Sequence, residues 1–119
     1  MEKINIQNKL GLFSDFWNPK IIGELNKQHV KLVKLKGEFI WHKHDDEDEM
    51  FLVLEGTLKI AFRDRTETIQ ENEIIIVPKG VEHKPIAEDE VSIMLFEPVT
   101  TINTGALENE RTRKNLESL

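Results

Sequence analysis

From Ile21 to Phe96 the apolar residues come in short runs, and every run is cut off by residues that turn a chain. Leu58, Ile60 and Phe62 alternate with Lys59, Ala61 and Arg63, the two-residue period of a half-buried strand. Met50–Leu54 and Glu73–Val77 are denser apolar strands. Gly37, the acidic run Asp45–Asp48, Gly56-Thr57, Arg63-Asp64-Arg65, Glu71-Asn72 and Pro78 with Gly80 stand between the runs. Strands this short, at this spacing and with no long helical pattern among them, predict an antiparallel all-β sandwich or barrel of about eight strands. Ile4–Lys9 is ambiguous and reads as a short edge strand. Leu12, Phe13, Phe16 and Trp17, closed by Pro19, predict a short N-terminal helix or turn that packs as a lid over one end of the core.

At 119 residues the chain suffices for one domain, residues 1–119, with a core over about 21–97. Residues 106–119 read as a charged tail, either flexible or an arm laid on a partner subunit. The net charge of −6, with no stripe of Lys or Arg, argues against a nucleic-acid surface. With no cysteine, disulfides, thiol catalysis and thiolate metal sites are excluded. No window approaches the roughly 18 continuous apolar residues of a membrane span, and the N-terminal residues lack the apolar stretch of a signal peptide, so a cytoplasmic location is expected.

Three of the four histidines fall at two marked points, His42-Lys43-His44 and His83. Two imidazoles one residue apart leave a strand on the same face. Glu49 on the next strand and His83 from a distant hairpin would complete a mixed nitrogen and oxygen site for a divalent metal. Such a set leaves positions open on an octahedral iron(II), manganese, nickel or cobalt ion, whereas four protein ligands could saturate zinc.

The spacing of these residues resembles that of the cupin superfamily, specifically its small single-domain branch. His42, His44, Glu49 and Gly56 follow the first cupin motif, with Gly37 one position closer than usual, and Pro78, Gly80 and His83 follow the second. Asn72 stands where a glycine usually opens the second motif, and Ala87 where an asparagine is often found. The resemblance implies a double-stranded β-helix, a jelly-roll barrel, with His42, His44, Glu49 and His83 as metal ligands. Trp41–His44, Pro78–His83 and the stretch Glu97-Pro98 to Asn103-Thr104-Gly105 are similar to small cupins described as mannose-6-phosphate isomerase-like.

Asp48 is the nearest rival to Glu49, but strand parity puts Glu49 inward with Phe51 and Val53. Phe39, Phe51, Phe62, Ile74 and Ile76 are the candidates for an apolar pocket. Trp41 should point away from His42, and His29 is assigned a structural or surface role. Lys79, Arg63 and Arg65 read as solvated. Function is expected to be the binding or transformation of a small organic molecule. The alternatives are a sugar-phosphate isomerase, with Glu82 or Glu97 as second carboxylate, a non-haem dioxygenase, and a non-enzymatic sensing or metal-binding module. A homodimer is expected because small open barrels expose strand edges.

Overall fold

The computed structural model describes residues 1–119. It contains one short helix, α1 (Ile6–Leu10), and eight strands: β1 (Lys20–Leu25), β2 (Gln28–Glu38), β3 (Glu49–Glu55), β4 (Leu58–Phe62), β5 (Thr66–Ile69), β6 (Ile74–Val77), β7 (His83–Pro98) and β8 (Glu117–Ser118). The helix takes the place of the edge strand expected at Ile4–Lys9, because the Asn5 side chain accepts from the Asn8 amide and caps a helix there. Of the helix or turn expected over Leu12–Trp17, the chain forms turns, with Trp17 at φ 57°.

The expected jelly-roll barrel is corrected by the hydrogen bonding. The strands follow an open path, β5-β4-β7-β2-β1-β8, with β3 attached to β7 and β6 attached to β3. No ladder joins the ends of that path. The terminal strands are too short to close it: β5 and β6 have four residues each and β8 has two. Pro78 stops β6, which pairs with β3 alone.

β7 organises the rest. Its first residues, His83–Ile86, pair with β4, and Ser92–Phe96 pair with β3, while β2 runs along its other edge from Gln28↔Pro98 to Glu38↔Ile86. The β2–β7 register shifts between Leu35↔Val91 and Gly37↔Ala87, which leaves the exposed Glu88-Asp89-Glu90 as a bulge. Gly56, at φ 90°, lies against this corner, where a Cβ would crowd the Glu90 carbonyl. Asn72 turns the chain at φ 66°, so it fills the backbone role of the glycine it replaces.

The core gathers Val33, Leu35, Phe51, Val53, Leu58, Ile60 and neighbours on β7, with Ala87 fully buried among them. A second cluster, Leu10, Ile22 and Leu32, seats α1 and is touched by Leu119. The C-terminal segment lies along its own chain: β8 pairs in parallel with β1, and the Leu119 amide donates to the Ile21 carbonyl. Ile74 and Ile76, expected in a pocket, are instead 55 % and 58 % exposed. The register Glu49↔Val77 sets the phase of β6, so Val77 faces inward and the two isoleucines face out.

Candidate metal centre

His42 and His83 meet across a single isolated β-bridge. Each main-chain amide donates to the other's carbonyl, at 3.0 Å and 2.9 Å, and the rings lie 4.2 Å apart. Lys43 projects outward, so His44 turns in again, and the His44 carbonyl accepts from the Gly80 amide at 2.7 Å. The glycine of the second motif therefore holds the first. Glu49 opens β3 on its buried face, as parity predicts, while the exposed Asp48 accepts from the Lys79 amide at 2.9 Å.

One ligand-capable atom from each of His42, His44, Glu49 and His83 lies within 4.8 Å of all the others, and all four side chains are buried. Glu49 Oε1 stands 3.2 Å from His83 Nε2 and 3.4 Å from His44 Nε2. Neighbouring ligands on an ion with bonds of ~2.1 Å stand roughly 3.0–3.4 Å apart.

The donor chemistry fits a cation as well. The Nδ1 atoms of His42 and His83 lie 2.9 Å from the Ile40 and Val81 carbonyls, which can only accept. Each ring therefore donates from Nδ1 and turns Nε2 inward, the arrangement of metal-bound histidines. The Nε2 of His83 faces Glu49 Oε1 at 3.2 Å, a contact that a shared proton or a bound metal makes favourable. His44 has both ring nitrogens buried without a hydrogen-bond partner. Such orphaned groups are costly unless something absent from the protein chain satisfies them. The cluster is thus capable of coordinating a divalent metal ion.

Burial pushes the His42 imidazole down to about 4, helped by the neighbouring His83 and opposed by Ile40 and Glu49. Burial alone would raise Glu49, but His44 and His83 outweigh it and hold its carboxyl well below the usual range. Both groups are thereby kept in their ligating forms.

Behind Glu49 lies a second carboxyl, Glu97, with Lys31 Nζ 2.7 Å from its Oε1. Burial, then the charge of Glu49, raises Glu97 well above the usual range against the pull of Lys31. Of the two candidate second carboxylates, Glu97 is therefore beside the cluster, whereas Glu82 is exposed and paired with Arg63. His29 sits apart, 3.5 Å from Glu24.

A cavity of about 40 Å³ adjoins the cluster, room for roughly three waters. His42 and Glu49 form part of its wall; Val33, Phe39, Phe51 and Trp17 are among its apolar members. Trp17 stacks on Phe39 with ring centroids 4.8 Å apart. Its place here was not legible in the sequence, since it depends on a turn at positive φ and on Trp17 Nε1 donating to the Lys36 carbonyl. Phe62 packs on the core instead, and Trp41 lies under the Arg63 guanidinium at 3.9 Å.

These features define a small all-β protein with a three-histidine, one-carboxylate cluster beside an apolar cavity. Residues 29–98 match the Cupin domain family, and the chain belongs to it. It is 54 % identical to a cupin-2 domain protein of Shewanella frigidimarina, whose crystal structure superposes with a TM-score of 0.79 over 80 % of this chain and 93 % of that one. Protein NMB1881 of Neisseria meningitidis is 36 % identical, with a TM-score of 0.75 over 82 % and 99 % of the two chains. The uncharacterized protein YdbB of Bacillus subtilis is 44 % identical over 64 residues, 53 % of this chain and 57 % of that relative. The expected likeness to mannose-6-phosphate isomerases finds no support in the matched family or in these three relatives. No helix is long and apolar enough to cross a membrane.

Proposed function

We propose that His42, His44, Glu49 and His83 hold one divalent metal ion, and that a small organic molecule binds in the adjoining cavity with access to it. The buried His44 Nε2, which has no hydrogen-bond partner and stands 3.4 Å from Glu49 Oε1, carries this reading. When bound, the ion would supply Lewis acidity or, if iron, oxygen chemistry. The chain's own residues orient the ring nitrogens through the Ile40 and Val81 carbonyls and line the cavity with a largely apolar wall. That wall favours an apolar molecule, and among the enzymatic alternatives a non-haem oxygenase over chemistry on a sugar phosphate.

The test is metal content per subunit after anaerobic purification, with His83→Ala alongside. Near-stoichiometric metal that His83→Ala loses is the expected result; no metal in the wild type after reconstitution overturns the assignment. Oxygen uptake by the iron-loaded protein would then separate the redox reading from simple ligand binding. We also assign a homodimer, on the ground that β6 offers an unpaired outer edge with Ile74 and Ile76 exposed on it.

A further inference from the structure

The C-terminal segment carries a cation that the metal centre does not use. The Arg111 guanidinium lies 5.7 Å from the Trp17 ring centroid and 5.6 Å from that of Phe39, the stacked pair in the cavity wall. It is half-buried and forms no ion pair with any carboxylate of this acidic chain. Nor does its side chain donate a hydrogen bond to the protein; the Arg111 bonds run through its main chain alone. A guanidinium with five donors, set beside the stacked Trp17–Phe39 pair and left without a protein acceptor, has its donors free for an anion.

The loop that presents it is fixed at several points. Asn103, itself in the cavity wall, donates from Nδ2 to the Arg111 carbonyl and accepts at Oδ1 from the Arg113 amide, both at 2.8 Å. The fully buried Thr104 meets the Thr112 hydroxyl at 2.7 Å. Gly105 sits so close to the Lys43 carbonyl that no Cβ fits there, which clamps the loop to the His42-Lys43-His44 segment. Arg111 is therefore held in register with the metal ligands by the main chain. One ring separates them: Phe39 lies 5.6 Å from the guanidinium and 5.2 Å from the His42 imidazole.

We propose that Arg111 anchors the carboxylate of a short apolar acid whose hydrocarbon part fills the cavity toward His42 and Glu49. The assignment rests on the reading of the cavity as the ligand site of the metal centre and adds the class of ligand. The cavity's size limits the body to a few carbons, its walls require that body to be apolar, and the unpaired guanidinium supplies the charge complement. The bidentate geometry of Arg with a carboxylate distinguishes an acid from its amide.

The test is calorimetric titration of the metal-reconstituted full chain with butanoate and with isosteric butanamide, in wild type and Arg111→Gln, with metal content measured on each sample. Wild type should bind butanoate about tenfold or more tightly than butanamide, and Arg111→Gln should abolish the difference while its metal content is unchanged. Equal binding of the two probes by wild type, or a preference that survives in Arg111→Gln, overturns the proposal; the latter result places the carboxylate on the metal. Should wild type hold no metal, the metal assignment fails by itself, and the same acid–amide comparison on the metal-free chain still decides the role of Arg111.

Discussion

Lys31 and Glu97 meet at 2.7 Å with both side chains only 2 % exposed, directly behind a carboxylate of the metal cluster. A cation and an acid at that depth stabilise little together, yet either alone is expensive. Glu97→Leu, which leaves the Lys31 cation buried alone, should cost about 3–5 kcal/mol in denaturant unfolding, and adding Lys31→Met should recover most of it. A single variant within about 1 kcal/mol of wild type would show that the pair is not sealed from water.

Glu49 and Asp48 are adjacent acids with opposite fates. Glu49→Gln should lower metal occupancy severely, and Asp48→Asn should leave it unchanged, because Asp48 holds the Lys79 amide on the exposed side. Metal analysis of the two variants separates them, and equal loss would return Asp48 to the ligand set.

The depressed His42 imidazole makes the metal-free fold acid-sensitive. The unfolded chain binds a proton near pH 6.5 and the folded one only near 4, so stability present above pH 6.5 drains away as pH falls through that window. The drop is about 3 kcal/mol. Unfolding free energies of metal-free wild type and His42→Phe, compared from pH 7 to 4, should diverge by that amount; parallel curves would refute the assignment.

Gly105→Ala tests the clamp between the C-terminal loop and the histidine segment. The residue has φ 63° and no space toward the Lys43 carbonyl, so the loop must lift. A loss of about 1–3 kcal/mol and weaker metal retention are expected. An unchanged unfolding curve would mean that the loop is not held there.

Ile76→Lys on the open edge of β6 should shift the assembly toward monomer in analytical ultracentrifugation without lowering stability, since Ile76 is exposed within one chain. A wild type that sediments as a monomer would overturn the dimer.

Much of this architecture could be read in advance, for identifiable reasons. The turn residues Gly56, Asn72, Pro78 and Gly80 punctuate the strands where the chain turns, because positive φ and a missing amide are written in residue type. The four cluster residues were legible from their spacing, since His42 and His44 share a strand face and Glu49 leads the buried side of β3. The phase of β6 was not: Ile74-Ile75-Ile76-Val77 is apolar at every position, and only pairing with β3 decides which side is wet. Closure was misjudged because strand count does not fix which edges pair. Trp17 and Arg111 were missed as cavity neighbours since tertiary packing brings both to Phe39, and no local pattern marks that meeting.

β7 carries His83 as its first residue and Glu97 as its last but one, yet both lie beside Glu49. A straight strand would separate them by roughly 45 Å, so the corner at Glu88-Asp89-Glu90 folds one arm of β7 back toward the other. Inserting one residue in that exposed tip would flip the second arm. Met94 and Phe96 would swing inward, and Ile93, Leu95 and Glu97 would go out to water. The acidic tip can therefore exchange its side chains freely, while its residue count is bound to the second arm of β7, which carries Glu97 to the histidines' carboxylate partner.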